Sequence, residues 1–353
     1  MDVPAASGYR MPAEWSPHAG TWLAWPHQRS DWPGKFSPTR WVYTEIIRAI
    51  TRHERVNLIV GGKKMREAAA AKLAFASVDM DQVTFWELPT DRSWVRDSGP
   101  IFAVNNRGER AVLDWHFNAW AKYENWTRDD LLPAFVAERL RLPARQPLHK
   151  GRRVVLEGGS IDVNGEGLLL TTEECLLSKV QERNPGFDRG DYERLFADWL
   201  GIDRVLWLNR GIAGDDTHGH VDDLARFVGS RTVVAVEERN AADENYEPLQ
   251  ENLERLRGMA GLEVIPLPMP APVVCDGVRL PASYANFYIA NGIVIVPTFN
   301  DPMDRTALGI LAELFPHREV VGIHCVDLVW GLGTLHCMTQ QEPEQSAAAA
   351  KSS

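Results

Sequence analysis

Cysteine is scarce in this chain. Four occur in 353 residues, at Cys175, Cys275, Cys325 and Cys337, and none stands in a Cys-x-x-Cys pair. That spacing builds neither a disulfide scaffold nor a cysteine zinc site, and it suits a reducing compartment with free thiols. Long apolar runs are missing as well. The longest, Phe287 to Phe299, carries Asn291 and Pro297 and is too short to cross a bilayer. The opening MDVPAASGYRMPAEW has no apolar stretch of a secretion signal, so a soluble, cytoplasmic protein is expected. Positive charge is the third shortage: 38 Lys and Arg against 48 Asp and Glu leave a net charge of −10. This argues against nucleic acid and anionic membranes as partners and mildly favours a cationic small molecule, although an ordinary soluble protein carries such a charge too. The length allows one large domain or two. No Ser/Gly linker or abrupt charge shift divides the chain, and only the closing QSAAAAKSS is of low complexity. A single domain over residues 1–343 and a disordered tail over 344–353 are the expectation.

Apolar residues make up 44% of the chain, enough for a sizeable core, and tryptophan is abundant at 13 against 7 Tyr. Short strands alternate with helices. Ser37-Pro38 reads as a helix start, and Val42, Ile46, Ile47 and Ile50 follow at core spacing. Strands are expected at 56–60, 83–86, 101–104, 111–115, 154–156, 161–163, 168–171, 205–208, 224–228, 232–236, 264–266, 287–296 and 320–324. Helices are expected near 64–75, 128–140, 192–200, 244–259 and 303–315. Tight turns such as Asn106-Arg107-Gly108 mix with helical crossovers, which implies a mixed sheet rather than strict β-α-β alternation. A unit of strands plus one helix recurs every ~60–70 residues, without shared sequence.

Five segments combine loop residues, glycines and reactive side chains, the usual setting of catalytic groups. In SWVRDSGP, Asp97 could accept a bidentate bond from a planar cation while Trp94 covers its face; a surface turn with a buried Trp is the plainer alternative. In LEGGS, Glu157 closes an apolar strand and could orient a histidine, or could be a solvated strand end. In GDDTHGHVDDLARF, an extended segment would put His220 and Asp222 on one face as a base and a carboxylate. A divalent-cation site and a solvated acidic loop compete with that reading. In VWGLGTLHCMTQQ, a glycine-rich approach delivers Cys337 among polar residues, as a nucleophilic thiol would be. Cys175, Cys275 and Cys325 instead fit buried structural cysteines. The aromatics of MPAEW through WPH wall a pocket or pack a core with equal reason.

Together these segments resemble the agmatine deiminase family, related to bacterial peptidylarginine deiminases and more distantly to other guanidino-modifying (pentein) enzymes. The resemblance runs from Met11 to about Pro343 through MPAEW, TWLAWPH, DWPGK, WVRDSGP, LEGGSI, RNPG, DDTHGHVDDLARF, PASYANFYIANG, VPTFNDPMDRTAL, FPHREVVGI and HCMTQQEP. It implies an α/β fold: a five-fold pseudosymmetric α/β-propeller of ββαβ units around a central channel with the active site at its mouth. It further implies Cys337 as nucleophile, His220 as general acid/base and Glu157 as the partner of His220. Asp97 and Asp222 would grip the guanidinium, with Trp94 beside the substrate stem. The implied reaction is hydrolytic deimination of a small guanidine through a covalent amidino-thioether, agmatine first and peptidylarginine or another guanidine as the alternative. No metal or cofactor is implied, and a homodimer is compatible with the resemblance. Two departures bear on the pocket rather than on the reacting groups. The approach to the cysteine reads Gly331-Leu332-Gly333-Thr334-Leu335-His336 where the family commonly has Gly-Gly-Gly-Asn-Ile-His, and His218 stands where an Asp is frequent.

Overall fold

Five sheets share one connectivity in the computed structural model, which describes residues 3–345. Each holds an antiparallel strand pair, then a helix, then a third strand parallel to the second, because a parallel return needs a crossover. One such unit runs through Ile101–Val104, Arg110–Leu113, the helix Leu132–Leu140 and Ala144–Arg145. The next runs through Asp162–Val163, Leu168–Thr172, the helix Arg189–Leu200 and Arg204–Leu208. A further unit comprises Ala225–Phe227, Thr232–Glu237, the helix Tyr246–Arg257 and Glu263–Pro268. Then follow Tyr288–Ala290, Ile293–Thr298, the helix Met303–Leu314 and Glu319–His324. The fifth unit joins the two ends of the chain. Its strand His18–Ala24 pairs antiparallel with Gln340–Pro343, then in parallel with Val56–Val60 after the helix Phe36–Ile50. This closure matters for function, since Cys337 lies just ahead of that last strand.

The second strand of each unit, paired on both edges, is buried along most of its length. Val233, Val234, Ala235 and Val236 are all inaccessible to solvent or nearly so, as are Ile293 to Val296. Such β-branched runs, covered on both faces, are what a central strand with parallel pairing requires. The crossover helices lay one apolar stripe on them: Leu249, Leu253 and Leu256 are buried at helical spacing, as are Tyr43, Ile46, Ile47 and Ile50.

Several expectations shift in detail. The expected strand 287–296 is a hairpin: Ala290 pairs with Ile293, and Asn291-Gly292 makes the turn with Gly292 at φ 72°. The helix expected to begin at Ser37-Pro38 begins at Phe36, with no side-chain cap from Lys35, and Pro38 falls in the first turn where its missing N–H is harmless. The expected strand 154–156 is reduced to one bridge between Val155 and His116. The strands His18–Ala24 and Gln340–Pro343 were not foreseen, because their aromatic and polar side chains do not alternate cleanly. The chain from residue 346 onward, most of the expected tail, lies outside the described residues. Among the described residues no helix is long and apolar enough to cross a membrane.

Candidate active site

Cys337 sits in the one-turn helix Leu335–Met338 and is 5% exposed. The Gly-x-Gly approach has a packing reason. A Cβ on Gly333 would lie 2.7 Å from the Trp94 ring and 3.2 Å from the Cys337 Cβ, so only glycine passes between them. Leu332 takes the left-handed region with φ 70° and lines the same cavity. The Cys337 sulfur accepts an N–H from Asn286 Nδ2 at 3.1 Å and lies 3.7 Å from Asp222 Oδ2. Burial, and after it the anions Asp222, Asp223 and Asp97, push the thiol well above its usual range, while the Asn286 hydrogen bond opposes them.

Asp97 lies on another one-turn helix, Val95–Ser98. Its Oδ2 accepts from Trp120 Nε1 at 2.9 Å and its Oδ1 from the Gly159 amide at 3.0 Å. A Cβ on Gly159 would stand 2.6 Å from His220 Nδ1, 2.7 Å from Asp97 Oδ1 and 3.0 Å from Asp222 Oδ2, so this glycine lets three charged groups converge on its backbone. Burial first, then the anions Asp222 and Glu157, raise Asp97 from 3.8 to about 6 against the pull of His220. Trp120 reaches Asp97 from a turn in which Ala119, Trp120 and Ala121 all have φ between 50° and 58°. Three successive left-handed non-glycine residues are costly, and such strain concentrates at functional sites.

His220 is fully buried. Its Nδ1 is 3.8 Å from Asp97 Oδ1 and its Nε2 is 3.9 Å from Glu157 Oε2, and neither ring nitrogen has a hydrogen-bond partner. Burial disfavours the charged ring, but Asp97, the Cys175 sulfur and Glu157 outweigh it and hold the pKa well above the usual histidine value. Glu157 has one oxygen on Arg183 Nε at 3.0 Å and the other unpartnered toward His220. Burial would raise it, yet Arg183 and His220 bring it from 4.5 to about 2. Asp222 lies in a single turn, Val221–Asp223, not on the extended segment expected from Gly219, and the strand begins only at Ala225. Its Oδ2 accepts from His336 Nδ1 at 2.7 Å and its Oδ1 is free. Burial works to raise it, but His336 and His220 carry it below the usual range.

All six residues singled out from the sequence thus meet in one place, and Cys337, Asp97 and Trp94 line a cavity of about 450 Å³. The rest of the acidic loop disperses. Asp215 accepts the amides of Thr217, Gly219 and His220, Asp216 binds Lys122 and Tyr123, and His218 turns to Ser178. Among the described residues, the cluster suited to a cation is instead Glu157, Cys175 and His220, whose ligand atoms lie within 4.8 Å of one another. The Arg183 guanidinium already holds Glu157 there, so a metal would compete with a fixed positive charge.

Arg183, Asn286, Trp120 and His336 were not assigned from the sequence. Arg183 and Asn286 belong to the distinctive RNPG and PASYANF segments, which marked them without revealing a role. Nothing local flags Trp120. Cys275, expected to be buried and structural, is half-buried and lines the cavity.

A family model described as Porphyromonas-type peptidyl-arginine deiminase matches residues 10–343. An agmatine deiminase of Ectopseudomonas mendocina is 37% identical, with 98% of each chain covered. The solved structure of the Enterococcus faecalis agmatine deiminase is 32% identical with a TM-score of 0.90, covering 98% of this chain and 99% of that one. A cysteine-to-serine variant of the C. jejuni agmatine deiminase with substrate bound is 29% identical with a TM-score of 0.86, covering 96% and 97%.

Proposed function

The chain belongs to the Porphyromonas-type peptidyl-arginine deiminase family, and on that footing we propose that it hydrolyses agmatine to N-carbamoylputrescine and ammonia. One observation carries the chemistry: a thiol, an imidazole and two carboxylates converge within a few ångströms around the Gly159 backbone at the end of a cavity. Buried carboxylates of that number need a cation, and a planar guanidinium supplies it with N–H groups on both edges.

In this reading Asp97 and Asp222 hold the guanidinium with its carbon facing Cys337, and Trp94 walls the stem. The arriving positive charge offsets the three aspartates that keep the thiol protonated, so binding releases the thiol proton to solvent. The thiolate attacks the guanidinium carbon, and the C–S bond forms as one C=N electron pair moves to nitrogen. His220, charged because Asp97, Cys175 and Glu157 together outweigh its burial, gives its proton to the departing nitrogen, and the C–N bond breaks to ammonia. The neutral ring then takes a proton from water, whose oxygen attacks the amidino-thioether. Collapse expels the thiolate and leaves the ureide, and the hydroxyl proton lost in that collapse passes to solvent, where the freed ammonia takes it up. Glu157, held anionic by Arg183, keeps His220 in its charged form between steps.

The cavity lining favours agmatine over peptidylarginine or free arginine. Asp31, Asp216 and Asp276 belong to it, and its cation Arg92 is already bonded to Asp31, as Lys122 is to Asp216. A second ammonium is welcome there and a carboxylate is not. The five sheets of one connectivity support a five-bladed propeller with the site at its mouth; a soluble cytoplasmic enzyme that feeds polyamine synthesis is part of the same proposal. A panel of agmatine, free arginine and a peptidylarginine, assayed for ureide and ammonia, tests the reading. Turnover of agmatine foremost is expected, and inactivity on all three would end the deiminase assignment.

A further inference from the structure

A second cavity, of about 480 Å³, shares no lining residue with the catalytic one and is of a size that holds a small molecule. Its charge is opposite to that of the chain. Lys150, Arg152, Arg153 and Arg183 line it together with His116 and His149, and no carboxylate does, in a protein whose net charge is −10. Local sequence explains part of this. Lys150-Gly151, at φ 49° and 80°, makes the tight turn that joins Leu148–His149 to Arg152–Arg153. His149 and Arg152 are directly opposed across that hairpin, so their side chains leave the same face, with Lys150 exposed at the tip. Arg153 and Arg183 are already neutralised, Arg153 by Asp114 at 2.8 Å and Asp130 at 2.6 Å, and Arg183 by Glu157 at 3.0 Å. Lys150 and Arg152 are not. Among the described residues neither side chain has an ion pair or a hydrogen bond. His149 Nε2 is likewise without a hydrogen-bond partner, since Asp191 stands 3.9 Å away. Uncompensated like charges gathered around one cavity repel one another, and a bound anion removes that cost.

We propose that this cavity binds a phosphate group, free or carried as the monoester of a small molecule. A dianion answers two unpaired cations with one group, whereas a carboxylate answers one. Lysine supplies a point charge and arginine a planar fork, both suited to phosphate oxygens. The Phe187 ring, half-buried and tilted against His149 with centroids 4.5 Å apart, gives an apolar wall for an organic group beside the phosphate. The proposal goes beyond the deiminase reading and does not depend on it. Arg183 links the two sites nonetheless. It lines this cavity and pairs with Glu157, whose other oxygen lies 3.9 Å from His220, so the charge of a bound anion acts on the guanidinium that fixes Glu157.

The test is isothermal titration calorimetry of the whole chain at about pH 8 with inorganic phosphate and with phenyl phosphate, each against sodium chloride at matched ionic strength. Phosphate should bind and chloride should not. Lys150→Gln combined with Arg152→Gln should weaken binding about tenfold or more, because two charge-assisted contacts are lost. Agmatine turnover without phosphate should stay at the parent's rate, since neither residue belongs to the catalytic cavity. Removing two exposed cations elsewhere, Lys63→Gln with Lys64→Gln, should leave phosphate binding unchanged, which separates the cavity from net charge. Tighter binding of phenyl phosphate than of inorganic phosphate supports a monoester as the ligand, and equal or weaker binding supports free phosphate. Should the double variant not fold, Lys150→Gln alone decides, with a loss of about threefold or more expected from the turn position. Phosphate binding no stronger than that of chloride, or binding unchanged in the cavity variants, overturns the proposal. Binding needs no turnover, so failure on agmatine would sink the substrate reading and leave this result standing.

Discussion

Breaking the Glu157–Arg183 pair should cost the protein more than any surface change and should do so through charge. Both side chains are fully screened from water, and Nε to Oε1 is 3.0 Å. Arg183 also donates to the Gln181 carbonyl at 2.9 Å and the Thr217 carbonyl at 2.5 Å, so its fork is satisfied only as a cation in this pocket. The Glu157 shift from 4.5 to about 2 corresponds to about 3 kcal/mol of stability. The sign follows from the depressed value: the contribution is complete above about pH 4.5 and is lost as pH falls through about 2. Removing one partner strands the other charge, for which about 3–5 kcal/mol is usual. Arg183→Met and Glu157→Gln should therefore each be severely destabilised in urea unfolding at pH 7. The double variant, with both charges gone, should recover about 3 kcal/mol relative to the sum of the two. Its deficit against the parent should narrow as the pH is lowered toward 2. Additivity of the two substitutions within about 0.5 kcal/mol would refute the reasoning, because the pair would then not be coupled.

The raised Asp97 sets an acid limit on the reaction. With a value of about 6 in the free protein, kcat/KM should fall as pH drops through about 6, and Trp120→Phe, which removes an N–H from the carboxylate, should move that limb upward by about one unit. A limb that stays in place would separate Trp120 from Asp97. The same raised value means that ionised Asp97 lowers stability as pH rises from 3.8 through about 6, so the rise in melting temperature on adding agmatine should grow across that window. Cys337→Ser should abolish turnover and iodoacetamide sensitivity while EDTA leaves the parent unaffected; a fully active serine variant would move the nucleophile elsewhere. Asp216→Asn should raise KM for agmatine about tenfold and leave a simple alkylguanidine unchanged, measured by initial rates; equal effects on both would detach Asp216 from the distal ammonium.

Local chemistry marked the site well where a residue type was itself unusual in its setting. Cys337 stood out because Gly-x-Gly and Thr-Gln-Gln are poor core packing, and Gly333 proves to be the narrow passage between Trp94 and the thiol. Glu157 stood out beside its glycine pair for a similar reason, since Gly159 is where His220, Asp97 and Asp222 come closest to the backbone. The turn at Asn291-Gly292 was also readable, yet the apolar residues around it concealed a hairpin as one strand. Arg183, Trp120 and Asn286 were beyond reach. Each acts on a partner 23 to 51 positions away, and nothing in its own neighbourhood records that distance.

By itself, then, the order of residues determined the chemistry available and the elements that carry it. It supplied one exposed-looking thiol, a His-x-Asp pair, two further acids, and amphipathic helices between buried strands. Only the tertiary structure decided the protonation states. Whether Asp97 titrates near 6 while Glu157 titrates near 2 depends on burial and on which charges lie within a few ångströms. Those are properties of through-space distance, and the chain acquires them only when its two ends pair as His18–Ala24 against Gln340–Pro343 and draw Cys337 in among carboxylates from two other segments, Val95–Ser98 and Val221–Asp223.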